Sequence, residues 1–435
     1  MAYVTQSTVG AELNRPYEED LPIHEWYRFV LSYPPHLVRD YIAEFELNKD
    51  DLILDPFCGT GTTLVESKKL GIPSIGLEAN PVVHFAATTK IDWSGDPEEL
   101  ENDAEAIASE VLLRLESEGI PDDSFFYPLD SKYPEKLKRI SPEESKLLIK
   151  DSISPLPLHK SIVLRDSLNE DSSIFKYEKI ALAKHLVYTI SNLRFGPEVG
   201  IGPIKKDSPV VTPWLAEVKS IADDLREFRI KNFTPSKVLL GDARNLCDKI
   251  KPRSISAVIT SPPYPNEKDY SRTTRLESVL LGYMKNSEDL KRFKQTFLCS
   301  NTRNVYKRLT EDAEYGKTFP RVALLANQID KRREVLEKTS GFEKLYGEVV
   351  RRYFGGMAKH LEELKPFLRP GAYLAYVVGD QASYFRILIR TGEILAEIAV
   401  RLGYSVERID LFRTRAATAT RDKLREEVVI LRWNG

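Results

Sequence analysis

Short apolar runs that stop at turns recur along this chain, separated by longer stretches with helical spacing, and that alternation predicts a parallel α/β sheet. Leu52-Ile53-Leu54-Asp55 is the first such run. It ends in a turn with Gly59 and Gly61, after which residues 63–70 read as a helix closed by Gly71. Residues 74–78 form the next predicted strand, ending in the carboxylate of Glu78. After a long interruption, runs at 238–242, 257–260, 372–378, 406–412 and 428–432 bring the predicted strands to seven. The polar stretch 413–427 between the last two predicts a closing antiparallel hairpin.

Two insertions break the alternation. Residues 1–93 and 236–435 carry the strand pattern, 94–235 reads as an inserted helical region, and 265–345 as a second insertion within the later part. Their charges differ. Residues 95–130 hold twelve acids against Arg114 alone, which predicts a solvated helix and loop facing away from nucleic acid. Residues 131–215 hold fourteen Lys and Arg against ten acids, interleaved with Tyr133, Tyr177, Tyr188, Phe195 and Trp214. Between 264 and 352 the count is nineteen against thirteen. Either insertion is able to follow a phosphate backbone, although ordinary amphipathic helices produce the same composition.

Composition narrows the class further. At 435 residues the chain can bury one large core or two moderate ones. A formal charge of −2 excludes a uniformly basic nucleic-acid coat protein while permitting local basic faces. Cys58, Cys247 and Cys299 are too scattered for a disulfide framework or a CxxC metal knuckle. Residues 1–19 lack a basic segment followed by an apolar one, and no stretch approaches the roughly 18 apolar residues of a membrane span. The expectation is a cytoplasmic protein with no membrane partner and no metal.

The candidate chemistry sits at the predicted strand ends. Glycines at 59 and 61 let backbone approach a ligand without a Cβ, and the helix that follows presents free N–H groups. The loop has no Lys, so it is a poor cradle for a nucleoside triphosphate. Glu78, 19 residues after Gly59, stands where doubly wound folds bind ribose hydroxyls, and Asp242 where an adenine amine is met. Three strand ends in register without a phosphate site point to an adenosine-containing cofactor of the S-adenosyl-L-methionine kind. The second peptide is Ser261-Pro262-Pro263-Tyr264, directly after the fourth predicted strand. Its two prolines fix φ and lack N–H donors, leaving a stiff loop with free carbonyls. The lone pair of an exocyclic base amine is delocalised into the ring until its hydrogens are held. Ser261 Oγ and the Pro262 carbonyl suit that task, and Tyr264 suits stacking on the base.

Taken together these motifs resemble those of site-specific DNA amino-methyltransferases, most of all the cytosine-N4 class. Residues 55–62 match the D-P-F-x-G-x-G-T cofactor motif and 261–264 the S-P-P-Y catalytic motif, with Asp269-Tyr270 fitting the aromatic that often follows. Residues 24–38 resemble the helix over the methionine end of the cofactor, Val377-Val378-Gly379-Asp380 the fifth strand end, and 413–432 the closing hairpin. The resemblance covers 24–93 and 236–435. It implies a Rossmann-like, seven-strand class I S-adenosylmethionine-dependent methyltransferase fold with two large insertions. It also implies cofactor contacts from Asp55, Pro56, Phe57, Gly59, Gly61, Thr62, Glu78 and Asp242, and catalysis by Ser261, Pro262, Pro263 and Tyr264. Tyr270, Arg272, Arg275 and Arg303 are the candidates for nucleic-acid contact. The implied partners are double-stranded DNA, with the target base flipped into the site, and a cognate restriction endonuclease. The insertions do not sit where a target-recognition segment between the third and fourth strands would; 131–215 is favoured for that role, with 265–345 as a second wall.

Ser rather than Asp or Asn at the head of the Pro-Pro-Tyr loop favours N4-methylcytosine as product. N6-adenine methylation, amino methylation of RNA, and a non-catalytic module that kept the fold are the alternatives. Cys58 follows Phe57 rather than proline and is expected to pack, not to attack a base. His24, His36 and His84 lack metal-ligand spacing and are expected to be structural hydrogen-bonders. Asn80-Pro81 is expected to turn the chain away from the second strand.

Overall fold

The computed structural model describes residues 15–28, 32–123, 137–196, 198–231, 233–246, 250–416 and 423–435. Tyr133, Cys247 and parts of the stretches 95–130, 131–215 and 413–427 lie outside the described residues. Seven strands form the central sheet: β1 (Ile53–Asp55), β2 (Ser74–Glu78), β3 (Ser236–Leu240), β4 (Ile255–Thr260), β5 (Leu368–Gly379), β6 (Ser405–Ala416) and β7 (Lys423–Arg432). Their spatial order is β3-β2-β1-β4-β5-β7-β6. The first five run parallel, while β7 is antiparallel to both β5 and β6. This is the seven-stranded Rossmann-like sheet expected from the sequence, and its order reverses between β1 and β4, the switch point where open α/β sheets bind ligands.

Two strand boundaries differ from the sequence reading in ways that matter. The third strand was expected at 238–242, but β3 pairs Ser236 to Ser74 and Leu240 to Glu78, so it ends where β2 ends. Gly241 and Asp242 therefore belong to the loop beyond the sheet. The fifth strand begins at Leu368 rather than 372: it runs on through Pro370 and Gly371, where its register with β4 shifts and the Gly371 N–H donates to Trp433 O at 2.6 Å.

Helices cover both faces. On one, α1 (Pro35–Glu44) buries Leu37, Val38, Tyr41 and Ile42 against Ile259, Ala375, Val428 and Ile430. Next in the chain come α2 (Thr62–Lys69), which leaves the glycine loop, and α3 (Pro81–Lys90), which starts on a proline behind an Asn80 cap whose side chain accepts from Val83 N. The 94–235 region contributes α4 (Pro97–Ser117), α5 (Phe175–His185) and α6 (Val211–Phe228). Its core, with Leu100, Val111, Tyr177, Trp214 and Ile221, is continuous with Val83 and Ala87 of α3, so the insertion packs on the sheet domain. It also holds a separate two-stranded antiparallel ribbon, Leu193–Phe195 with Val199–Ile201. The opposite face of the sheet is covered by α7 (Tyr346–Leu364) and α8 (Thr391–Arg401), which close over Leu54, Val258, Leu374, Tyr376 and Val429. No helix among the described residues is long and apolar enough to cross a membrane.

Candidate active site at the strand ends

The loops at the C-terminal ends of β1, β2, β3 and β4 enclose a cavity of about 440 Å³. Pro56, Phe57, Gly59 and Thr62 line it from the first loop, Glu78 from the end of β2, Asp242 from beyond β3, and Ser261, Pro262, Pro263 and Tyr264 from beyond β4. Residues some 200 positions apart in sequence are thereby assembled by the parallel pairing of four short strands. Asp55 and Gly61 are not in the wall.

Asp55 lies beneath it, fully buried. Its Oδ1 accepts from Thr260 Oγ1 at 2.6 Å and from Phe57 N at 3.1 Å, and its Oδ2 accepts from Tyr33 OH at 3.0 Å. The carboxylate thus ties the end of β1 to the end of β4, joining the two loops that carry the two motifs. Burial pushes its pKa up to about 6 against the pull of these donors. Gly59 and Gly61 have φ of +51° and +86°, the left-handed region that disfavours side chains. A Cβ built on Gly59 meets nothing within 4 Å, so that glycine serves the turn and not tight packing. Cys58 is buried, with Sγ set against Gly76, and burial raises its thiol pKa well above the ordinary value.

Glu78 presents a carboxylate to the cavity from a site with little water. It accepts from Asn80 N at 2.7 Å, and from the Gly59 and Ala79 amides, yet burial, helped by the negative charge of Asp55, lifts its pKa to about 7. Just beyond the neighbouring strand end Asp242 is bracketed by Arg244, whose Nε donates to Oδ1 at 2.9 Å and whose Nη2 donates to Oδ2 at 2.6 Å. The same guanidinium bonds Asp312 Oδ2 at 2.5 Å and Gln295 O at 3.2 Å, next to the cavity-wall residues Thr296, Phe297 and Leu298. Two carboxylates at adjacent strand ends above a lysine-free glycine loop are a donor-seeking set, matched to hydroxyl and amine hydrogens rather than to phosphate. An adenosine-bearing sulfonium fits that set.

The Ser261–Tyr264 loop is held from several sides. Ser261 Oγ donates to Val377 O at 3.2 Å. The Tyr264 amide donates to Tyr270 OH at 3.3 Å. The Tyr264 ring lies on the backbone of Gly379, where a Cβ would come within 2.9 Å of its Cε2. With one proton committed to Val377, Ser261 Oγ still has a lone pair to offer the cavity.

Residues 13–88 match the family model described as DNA methylase. Along 430 residues the chain is 27% identical to the Type II methyltransferase M.BsoBI of Geobacillus stearothermophilus, covering 92% of this chain and 82% of that one. It is 25% identical over 411 residues to the Type II methyltransferase M.AvaI of Nostoc sp., covering 89% and 80%. These similarities support a DNA amino-methyltransferase. TrmN from Thermus thermophilus aligns with 92% of this chain and 48% of its own at 10% identity and a TM-score of 0.26, too distant to bear on fold or function.

Of the residues expected to meet nucleic acid, only Tyr270 lines the cavity, where it also braces the Tyr264 amide. Arg275 turns inward: Nη1 donates to Leu147 O at 3.1 Å and Nη2 to Ser271 Oγ at 3.0 Å, so it joins the two insertions. Arg272 is partly buried away from the cavity, and Arg303 is exposed over the Phe342 ring. Lys268 lines the cavity from the stretch expected as a second wall, but sequence reading missed the wall formed by Phe412, Arg413, Arg415 and Glu426 of the closing hairpin. Glu426 is carried there by pairing opposite Gly379. Asn80 also lines the cavity while its Nδ2 donates to Thr274 Oγ1 at 2.9 Å. His24 bonds Glu66 at 2.8 Å, its pKa pushed down to about 4 by burial, and His84 lies 3.3 Å from Val238 O. Among the described residues no group of three or more His, Cys, Asp or Glu is arranged to hold a metal ion.

Proposed function

We propose that this chain is an S-adenosylmethionine-dependent DNA methyltransferase that methylates the exocyclic N4 of cytosine at a specific duplex sequence. The observation that carries the reading is the shared cavity, whose wall includes both Glu78 and the Ser261-Pro262-Pro263-Tyr264 loop. The matched family description, DNA methylase, and the relatives' names, Type II methyltransferases, support a methyltransferase acting on DNA. Serine at the head of the loop supports cytosine over adenine.

In this reading Glu78 takes the ribose hydroxyls, Asp242, held by Arg244, takes the adenine amine, and Phe57 with the glycine loop supports the rest of the nucleoside. When bound, the cofactor supplies an activated methyl group on a sulfonium. Ser261 Oγ accepts one hydrogen of the flipped base's amine and the Pro262 carbonyl the other, localising the nitrogen lone pair toward that methyl. Tyr264 and Tyr270 confine the ring. As the N–C bond forms the nitrogen becomes cationic and its proton leaves to solvent, so no strong base is needed. Extrusion of the base costs on the order of a few kcal/mol, which the pocket and groove contacts offset.

The test is to incubate the protein with methyl-labelled S-adenosylmethionine and, in parallel, mixed-sequence duplex DNA or RNA, then digest to nucleosides and resolve them by mass. Label in N4-methylcytosine is the expected result. Label in N6-methyladenine overturns the base assignment, and label confined to RNA overturns the substrate.

A further inference from the structure

The two-stranded ribbon of the insertion has a built form that the catalytic cavity does not require. Its inner face, Leu193, Phe195 and the buried Val199, is anchored: Leu193 and Phe195 pack on the insertion core. Its base is pinned by Asn192. The Asn192 amide donates to Ser152 O at 2.8 Å, its Nδ2 donates to Asp151 O at 2.9 Å, and its backbone and side-chain oxygens accept from Gly202 N at 2.7 Å and Lys205 N at 2.9 Å. The outer face is bare. Arg194 stands there opposite Gly200 and is exposed, and a Cβ on Gly200 would meet nothing within 4 Å. Glycine inside a strand costs stability, and an open outer face beside a cation is where another backbone can come close. Beyond the second strand follow Ile204, 57% exposed, and the exposed Lys206. Among the described residues neither Arg194 nor Lys206 is in an ion pair, in a molecule where most arginines are. Glu198, in the turn of the ribbon, is among the charges that favour the charged form of Lys268, a cavity-wall residue.

We infer that this ribbon is the element that docks in a groove of duplex DNA beside the flipped base, with Arg194 and Lys206 on the phosphates and Ile204 against base edges. A two-stranded ribbon is of a size that enters the major groove. Two exposed cations, Arg194 on the ribbon and Lys206 just beyond it, neither in an ion pair among the described residues, complement a phosphate backbone. The inference rests on the DNA reading above.

The experiment compares wild type with an Arg194→Ala/Lys206→Ala double variant and with Gly200→Glu, measuring duplex DNA affinity across a salt series at saturating cofactor. Loss of two phosphate contacts shallows the slope of log K against log salt by about 2. The double variant is therefore expected to bind DNA at least tenfold more weakly at low salt and to show the shallower slope. Gly200→Glu is expected to weaken binding as well, with cofactor affinity and melting temperature unchanged in both. Unchanged affinity and slope in the double variant overturn the assignment of the ribbon. A wild-type protein that binds cofactor but shows no salt-dependent affinity for duplex DNA overturns the DNA reading, and this inference with it, before any variant is compared.

Discussion

Glu78 titrates, in the free protein, within the range where the enzyme would work, and cofactor affinity should follow it. Its carboxyl is held at about 7 because burial and the nearby Asp55 charge outweigh the three amides that favour ionisation. Ribose hydroxyls donate hydrogen bonds, so they need the ionised form. With a pKa of about 7 roughly a tenth of the protein is competent at pH 6 and roughly nine tenths at pH 8, and an apparent Kd scales inversely with the competent fraction. S-adenosylmethionine binding measured by calorimetry is therefore expected to tighten about tenfold from pH 6 to pH 8. Asp55, at about 6, titrates lower in the window, and Lys90 and Glu277, both at about 7, lie outside the cavity wall. Glu78→Gln separates these contributions: it should bind more weakly at pH 8 and show little pH dependence. A wild-type Kd that is flat between pH 6 and 8, or a slope that survives in Glu78→Gln, would refute the role given to this carboxylate.

Three further outcomes are expected. Gly379→Val drives a side chain into the Tyr264 ring, 2.9 Å from the glycine's Cβ position, so the Michaelis constant for DNA should rise and turnover fall about tenfold or more with cofactor affinity intact; steady-state kinetics with each substrate varied check this. Arg244→Met leaves the Asp242 and Asp312 carboxylates, 24% and 13% exposed, without their shared partner. Full burial would cost about 3–5 kcal/mol, so urea denaturation should show a loss of about 2–3 kcal/mol, and adding Asp312→Asn should not sum with it. Glu277 is fully buried, accepts from Tyr27 OH at 2.6 Å and has its pKa raised to about 7. A raised carboxyl pKa favours the fold below the unfolded value and loses that contribution as pH rises through the folded value. Glu277→Gln should therefore gain on wild type by about 2–3 kcal/mol between pH 5 and 8 in matched melts.

The legible part of this molecule was the part written in contiguous residues. Residues 55–62 and 261–264 announce themselves because a glycine turn and a double-proline turn each complete their shape locally, and the apolar runs beside them announce the strands. Glu78 and Asp242 could be placed because each closes such a run. What depends on pairing between distant segments could not be read. Asp55 looked like a ligand contact, yet its partner Thr260 is 205 residues away, and the pair turns it into a brace under the floor. The extent of β3 is set by register with β2, which shifts Asp242 off the sheet and into the reach of Arg244. Glu426 enters the site because β7 runs antiparallel to β5, and Arg413 and Arg415 because β6 pairs with β7 in turn, registers that no local pattern encodes. Arg275 looked basic and available, but a carbonyl of the other insertion occupies it.

The central claim is that Ser261, and not merely the fold around it, activates the target amine. Single-turnover methyl transfer to duplex DNA by wild type and Ser261→Ala, with cofactor affinity measured in parallel, tests it most directly. Removing one positioned hydrogen-bonding group at a reacting centre costs about 10²–10³ in rate. The account predicts a loss of that order with an unchanged Kd for S-adenosylmethionine. A Ser261→Ala enzyme that transfers at the wild-type rate would contradict it.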